Sequence, residues 1–434
     1  MRTMEANLRK LRPPGTSSLR DSSINLMKNC VGAGVFSLSS RVNAVSTHPH
    51  TLFPASALVL LMATWATYNF CIIGETCELT DSFSYPEAWG NTVSLKSQWI
   101  VTMTIVIAPI VSCLANSIVL VDILGLIMRN LGLPLALYGN RNTVIAILST
   151  FILFPLCSLK DLSALKSVSA FGILGQLVAM ATLAIRLDDK SYFPGGQFFM
   201  RKFPIPTAAA AAVIPSSIDN SKWFVLASIL SYCMVSHYNA PRYYSELKRR
   251  SPKRFLTMAS ISYALSSLVY IVTMTLGVKV FGARAQSFLL NNFAANDPLG
   301  LIARVAFGSS VLASFPLIFL SMRNWFITLA ARRLPVISGR RQMTFILLTF
   351  ISCLAVFFRD IGVVSSIAGG ILGSSVMFIF PPIMYIGALL RNAKKTDTPA
   401  PRVKIGVNVF LMLMGGCLAF FGTYVNLSNL LKAK

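Results

Sequence analysis

A chain of 434 residues that is 54% apolar and only 12% charged, with a mean hydropathy of +0.65, is too apolar for a water-soluble globular protein and fits one that crosses a bilayer many times. Its formal charge of +24 would suit a nucleic-acid binder, but the basic residues lie between apolar runs instead of gathering on one polar domain, so no nucleic-acid partner is expected.

Residues 1–21 are a short basic tail with Arg9, Lys10, Arg12 and Arg20. They lack the apolar core and cleavage site of a secretory signal peptide, so the first span should act as its own insertion signal. Span one is predicted at about 22–45, span two at 51–79 and span three at 99–129. Spans four and five follow at 143–159 and 164–187, joined by a tight turn at Lys160-Asp161. Residues 188–222, with Pro194-Gly195-Gly196, the Pro204–Pro206 stretch and the alanine run 208–212, read as one large loop. Spans six to eleven are predicted at about 223–247, 256–282, 299–331, 342–358, 360–390 and 404–430.

Eleven crossings put the termini on opposite sides. Lys and Arg are retained on the cytoplasmic side of short loops. A cytoplasmic N-terminus collects Lys248, Arg249, Arg250, Lys253 and Arg254, then Arg332, Arg333, Arg340 and Arg341, then Arg391, Lys394, Lys395, Arg402 and Lys404 on the inner face. The outer connections keep single charges such as Arg41, Arg284 and Arg359, and the large loop goes outside. All eight cysteines fall in or at the ends of apolar runs, which argues against a disulfide framework or a thiolate metal site.

Ser22–Ser40 reads SSINLMKNCVGAGVFSLSS and carries Asn25, Lys28 and Asn29 before a Gly32-Ala33-Gly34 interruption. A membrane helix satisfies its backbone internally, so a glycine-rich break beside an ammonium suggests backbone opened towards a polar cavity. Burying such an ammonium costs about 2.5–3.5 kcal/mol on insertion scales. Lys28 therefore either lines a solute pathway or snorkels to the inner interface.

Span six holds Ser231, Tyr232, Cys233, Ser236, His237 and Asn239 just before Pro241. Polar density beside a helix breaker suggests a second discontinuous helix. His237 is either a proton-moving group or a partner for freed carbonyls. Glu246 is expected to pair with Arg242 or the basic loop. In span eight Ser309 and Ser310 are expected to bond back to their own helix, while Ser314, beside Phe315-Pro316, is a candidate lining group. Asn116 and Asp122 of span three either face the bundle or, for Asp122, pair with a basic residue. Gly369-Gly370 and Gly373 suit close helix approach, and the sequon at Asn426 lies against the last span. The chain has no P-loop, HExxH or GxSxG sequence, and no acid/base pair or nucleophile set near a loop face, so an enzyme is not expected and no cofactor is implied.

These stretches, together with PLCSLKDLSALKSVSAFGILG in span five, SHYNAPRYYSEL in span six, SFPLIFLSMR in span eight and RDIGVVSSIAGGILGSSVMFIFPP in span ten, resemble the amino acid/auxin permease family and occur in family order. The resemblance implies an all-α polytopic membrane fold of eleven transmembrane helices, ten of them in two inverted five-helix repeats. These would occupy 22–187 and 223–390, with 391–434 holding a loop and the last helix, and helices one and six discontinuous. It implies a substrate site at Asn29, Gly32, Ala33, Gly34, Ser231, Tyr232, Cys233 and Ser236, with the substrate carboxylate on the first-span amides and its ammonium near the carbonyls of Tyr232–Ser236.

Sodium-coupled members have an Asn four residues before the first Gly of the break and a Thr two residues before the span-eight proline. This chain has Lys28 and Ser314 there, so the resemblance implies proton coupling or uniport without sodium, with Lys28, Ser314 and His237 as coupling candidates. The large loop lacks the cysteines that form a disulfide in several animal relatives, which leaves its order open. A transporter of neutral amino acids is expected, with an amino acid sensor using the same pocket as the alternative. Membrane lipid surrounds it, in a plasma or a vacuolar/lysosomal membrane, and a monomer is expected.

Overall fold

The structure, a computed structural model, describes residues 15–46, 48–158, 171–199, 220–333 and 339–432, and every long element among them is a helix. The first apolar run is interrupted as its glycines predict. Helix α1 (Leu19–Cys30), capped by Ser18, ends at Val31 and Gly32, whose backbones are not helical. A 3-10 stretch over Ala33–Ser37 then leads into α2 (Leu38–Val45). Helix α3 (Leu52–Thr80) follows, then a short α4 (Tyr85–Thr92), α5 (Gln98–Asn130), α6 (Arg141–Ser158) and α7 (Phe171–Asp188).

The second interruption falls where Pro241 forecasts it. Helix α8 (Ser221–Met234) stops at Val235, His237–Asn239 form a 3-10 turn, and α9 (Ala240–Glu246) restarts with Pro241 in its first turn. Proline is at home there because the first-turn N–H has no helical partner to lose. Helices α10 (Pro252–Phe281), α11 (Pro298–Arg333), α12 (Arg340–Phe357), α13 (Ile361–Thr396) and α14 (Arg402–Lys432) complete the order. Eight of the described helices, α3, α5, α6 and α10 to α14, are long and apolar enough to cross a bilayer, as a multi-pass membrane protein requires. The Lys160-Asp161 turn, the start expected for span five and the alanine run of the large loop lie outside the described residues.

The buried apolar side chains form two principal cores. One joins α5, α6, α7, α11 and α12; the other joins α1, α3, α8, α10 and α13. Tyr232, at the end of α8, packs against both and marks the seam between them. Glycines bring α13 flush against α8: a β-carbon at Gly373 would stand 3.0 Å from the Ser231 backbone, and one at Gly369 would collide with the Ser228 carbonyl. Both glycines lie in the first of two π-helical stretches of α13, Gly369–Gly373 and Ser375–Ile379.

Apolar patterning does not announce several polar interior groups. The carboxylate of Asp297, fully buried, accepts from Arg186 and, at 2.7 Å, from the Tyr192 hydroxyl, while Arg186 also pairs with Asp189 at 2.5 Å. This cluster fastens the first residues of the large loop to the start of α11. Arg304 donates to the carbonyls of Leu290, Phe293 and Ala294, and Arg323 reaches Cys157 O and Thr344. Asn426 is buried and donates to Gly422 O at 2.7 Å, so the sequon is not presented to solvent. None of the eight cysteines forms a disulfide.

Candidate functional site

A cavity of about 690 Å³ runs along the seam between the two cores. The interrupted helix α1–α2 gives it Asn25, Lys28, Asn29 and the run Cys30–Gly34. Tyr232, Cys233, Val235, Tyr238 and Asn239 come from the second interruption. Facing them, α5 supplies Ala108, Val111, Ser112 and Asn116, α11 supplies Phe307, Ser310, Val311 and Ser314, and α13 supplies Ala368, Leu372, Gly373 and Val376. One wall is thus backbone, amide and ammonium, and the opposite wall is mostly apolar. A few convergent polar groups set in an apolar pocket of this size is the usual form of a small-molecule site.

The cavity reaches the surface at the α9 end, where Arg242 and Glu246 line it, pair at 2.7 Å and are 74% and 43% exposed. At the other end it is stopped by aromatic rings. Phe307 packs edge-on against Phe36 at 4.8 Å, and Phe36 against Phe288 at 6.0 Å, all three buried. Behind them Asp122 pairs with Arg141 at 2.5 Å and accepts from Asn291, and Asp360 accepts from Ser287 at 2.7 Å. Asp122 is therefore an ion-pair partner, whereas Asn116 faces the cavity.

The two glycines of the first break have different surroundings. A β-carbon at Gly34 would stand 2.7 Å from the Cys233 sulfur, so the interruptions touch there. One at Gly32 would meet nothing within 4 Å, so that backbone borders open space. Opening N–H groups at the start of a helical segment makes a natural seat for an anion.

Lys28 lies in the last turn of α1, where a cation is favoured by the helix dipole, and it has no hydrogen-bond or ion-pair partner among the described residues. Asn29 donates to the Tyr243 hydroxyl at 2.7 Å, joining α1 to α9. Ser314 bonds back to Val311 O at 3.0 Å while lining the cavity, and Ser309 bonds back to Ala306 O.

Of the sequence-derived candidates, the cavity brings together Lys28, Asn29, Gly32, Ala33, Gly34, Tyr232, Cys233 and Ser314. Ser231, Ser236 and His237 lie beside the break and are not among its lining residues. Ser231 bonds back to Ala227 O, and Ser236 sits 3.1 Å from the Tyr263 hydroxyl. His237 is fully buried, with Nε2 2.9 Å from Ala66 O and its ring against Phe70. Sequence reasoning missed Tyr263 and Tyr270 of α10, whose hydroxyls reach the carbonyls of the breaks. Two tyrosines seven residues apart on an apolar helix were the available signal, since buried tyrosine hydroxyls seek partners.

Among the described residues no group of three or more His, Cys, Asp or Glu is placed to hold a metal ion. A solute-sized cavity between two interrupted helices of a multi-pass membrane protein is the arrangement in which secondary transporters hold their substrates. The chain belongs to the transmembrane amino acid transporter family, whose model matches residues 15–427. A Danio rerio protein provisionally named sodium-coupled neutral amino acid transporter 11 is 21% identical over 92% of this chain and 86% of its own length. Vacuolar amino acid transporter 2 of Saccharomyces cerevisiae is 23% identical over 88% of this chain and 78% of its own. Amino acid transporter AVT6E of Arabidopsis thaliana is 23% identical over 96% and 85%. These relatives are transporters and not enzymes. The crystal structure of MhsT in complex with L-phenylalanine aligns over 98% of this chain and 100% of its own at 14% identity, with a TM-score of 0.49.

Proposed function

We propose that the protein is a secondary transporter of neutral amino acids that works by alternating access without sodium, either proton-coupled or as a uniporter. The observation that carries this reading is the unpaired Lys28 on a cavity bordered by both helix interruptions. An α-amino acid brings a carboxylate for the Gly32–Gly34 amides and Lys28, and an ammonium for the backbone carbonyls of the Tyr232–Ser236 segment. Asn29, Tyr232 and Cys233 close around the backbone of the zwitterion. Its side chain faces Val111, Val311, Leu372 and Val376, which favours neutral substrates. Among the described residues the acid on the cavity wall is Glu246 at its mouth, already engaged by Arg242.

Lys28 supplies a fixed positive charge and, with Ser314 across the cavity, takes the place of a sodium ion. His237 supports the second break from behind. In this reading the chain folds as eleven transmembrane helices, ten in two inverted repeats, with a cytoplasmic N-terminus. The cavity mouth at α9 then faces the cytoplasm and the Phe36–Phe288–Phe307 seal faces outward. The two separate cores are the bodies that rock about the seam. Uptake of radiolabelled neutral amino acids into proteoliposomes under imposed proton and sodium gradients tests the proposal. Uptake in choline medium is expected, and uptake that requires an inward sodium gradient would refute it.

A further inference from the structure

Tyr270 of α10 is completely buried, and its hydroxyl lies 2.5 Å from the carbonyl oxygen of Cys30 and 3.0 Å from that of Cys233. Those carbonyls belong to the last turns of α1 and α8, the two helices that stop at the cavity. Helix C-termini carry partial negative charge, and paired half-helix carbonyl ends are where broken-helix transporters coordinate a cation. Here one neutral hydroxyl stands between them. Its single proton is shared between both carbonyls as a three-centre hydrogen bond.

Tyr263, two turns earlier on α10, makes a different connection. Its hydroxyl reaches Met234 O at 3.3 Å and Ser236 Oγ at 3.1 Å, both in the second interruption. Tyr270 alone of this pair spans the two breaks through their carbonyls.

We propose that the Tyr270 hydroxyl does the work of a cation between the two breaks, locking the carbonyl ends of α1 and α8 together so that the substrate site assembles without an alkali ion. Tyr270 is a positioning residue: it acts through the carbonyls and is not among the groups lining the cavity. The inference rests on the sodium-independent transport reading and adds the group that makes sodium dispensable at this point. Removing the hydroxyl leaves two carbonyl oxygens facing one vacated position, which a small cation can occupy.

The test uses full-length Tyr270→Phe and Tyr263→Phe, each prepared in sodium, lithium and choline chloride. Thermal unfolding is read in each medium, together with uptake of radiolabelled L-alanine, L-leucine and L-glutamine into proteoliposomes. Wild type is expected to unfold at the same temperature in all three media. Tyr270→Phe is expected to unfold earlier in choline and to be restored by sodium or lithium. Its uptake should fall about tenfold in choline, a loss of about 1.4 kcal/mol, and recover with the same cation. Tyr263→Phe is expected to lose stability equally in every medium. Recovery of folded Tyr270→Phe only in sodium or lithium also supports the proposal. Recovery in no medium, a Tyr270→Phe protein indifferent to cations, a wild type stabilised by sodium, or an equal cation response in Tyr263→Phe would each overturn it. If wild type takes up none of the three amino acids, the transport reading fails while the unfolding comparison still decides the role of Tyr270.

Discussion

Gly34 and Cys233 face each other across the point where the two interrupted helices meet, leaving no room for a β-carbon at position 34. Gly34→Ala forces the Cys233 sulfur, or the backbone of one break, to move. Overpacking of a closed contact costs about 1–3 kcal/mol. The variant should unfold several degrees earlier and lose at least tenfold in uptake. Gly32→Ala is the matched comparison, because its methyl enters open space. It should keep the wild-type unfolding temperature and weaken substrate binding by competing for the cavity. Unfolding in detergent and substrate titration separate the two, and equal behaviour of both variants would remove the asymmetry.

Lys28→Met removes a charge that no described residue pairs with, so no partner is orphaned in the interior. Its stability should change by no more than about 0.5 kcal/mol, the usual range for a substitution outside packing and polar networks. Uptake should nevertheless collapse, and if the wild type accumulates substrate under a proton gradient, that accumulation should vanish. A Lys28→Met protein that still accumulates substrate under a proton gradient would show that this ammonium is not part of the coupling machinery.

Asp297→Asn leaves Arg186, 10% exposed, without its buried counter-ion. Breaking a buried pair from one side typically costs about 3–5 kcal/mol, because the remaining charge stays desolvated. Asp189 still holds Arg186 at 2.5 Å, so the loss should lie at the lower end of that range. Thermal unfolding reads it directly. Limited proteolysis should show the first residues of the large loop released from the start of α11.

Much of this architecture could be seen in the residue order. Apolar runs located α3 and α5 to within a residue, because a membrane helix must be apolar over about 20 positions. Gly32-Ala33-Gly34 and Pro241 located both interruptions, because glycine and proline act on the backbone itself. Helix α4 escaped notice: its eight residues are too few to span, and its place is fixed by the Tyr85 hydroxyl reaching Val376 O, 291 residues away. The Arg186–Asp297 pair joins residues 111 apart, a relationship that no local pattern encodes. Ser231, Ser236 and His237 looked like lining groups because they crowd a breaker. Ser231 lies within α8 on the side pressed against Gly373 of α13, and past Val235 the 3.6-residue phase no longer tells where Ser236 and His237 point.

Phe307→Ala takes away the ring that links the cavity to the Phe36–Phe288 seal. The seal should become permeable to small reagents. Cys233, which lines the cavity and is buried in the parent, should then react with a membrane-impermeant maleimide added from the side opposite the α9 mouth. Labelling confined to the mouth side would show that the outer closure stands without Phe307.

The segment just before α1 is stitched to the C-terminal end of α9: Ser17 N donates to Glu246 O and Lys248 N donates to Ser17 O, both at 2.9 Å. Gly15 passes so close to Leu247 that a side chain there would strike its carbonyl. A fluorescent label on a cysteine placed at Thr16 would therefore ride with the end of α9, turning the start of the chain into an optical gauge of how wide the mouth stands during turnover.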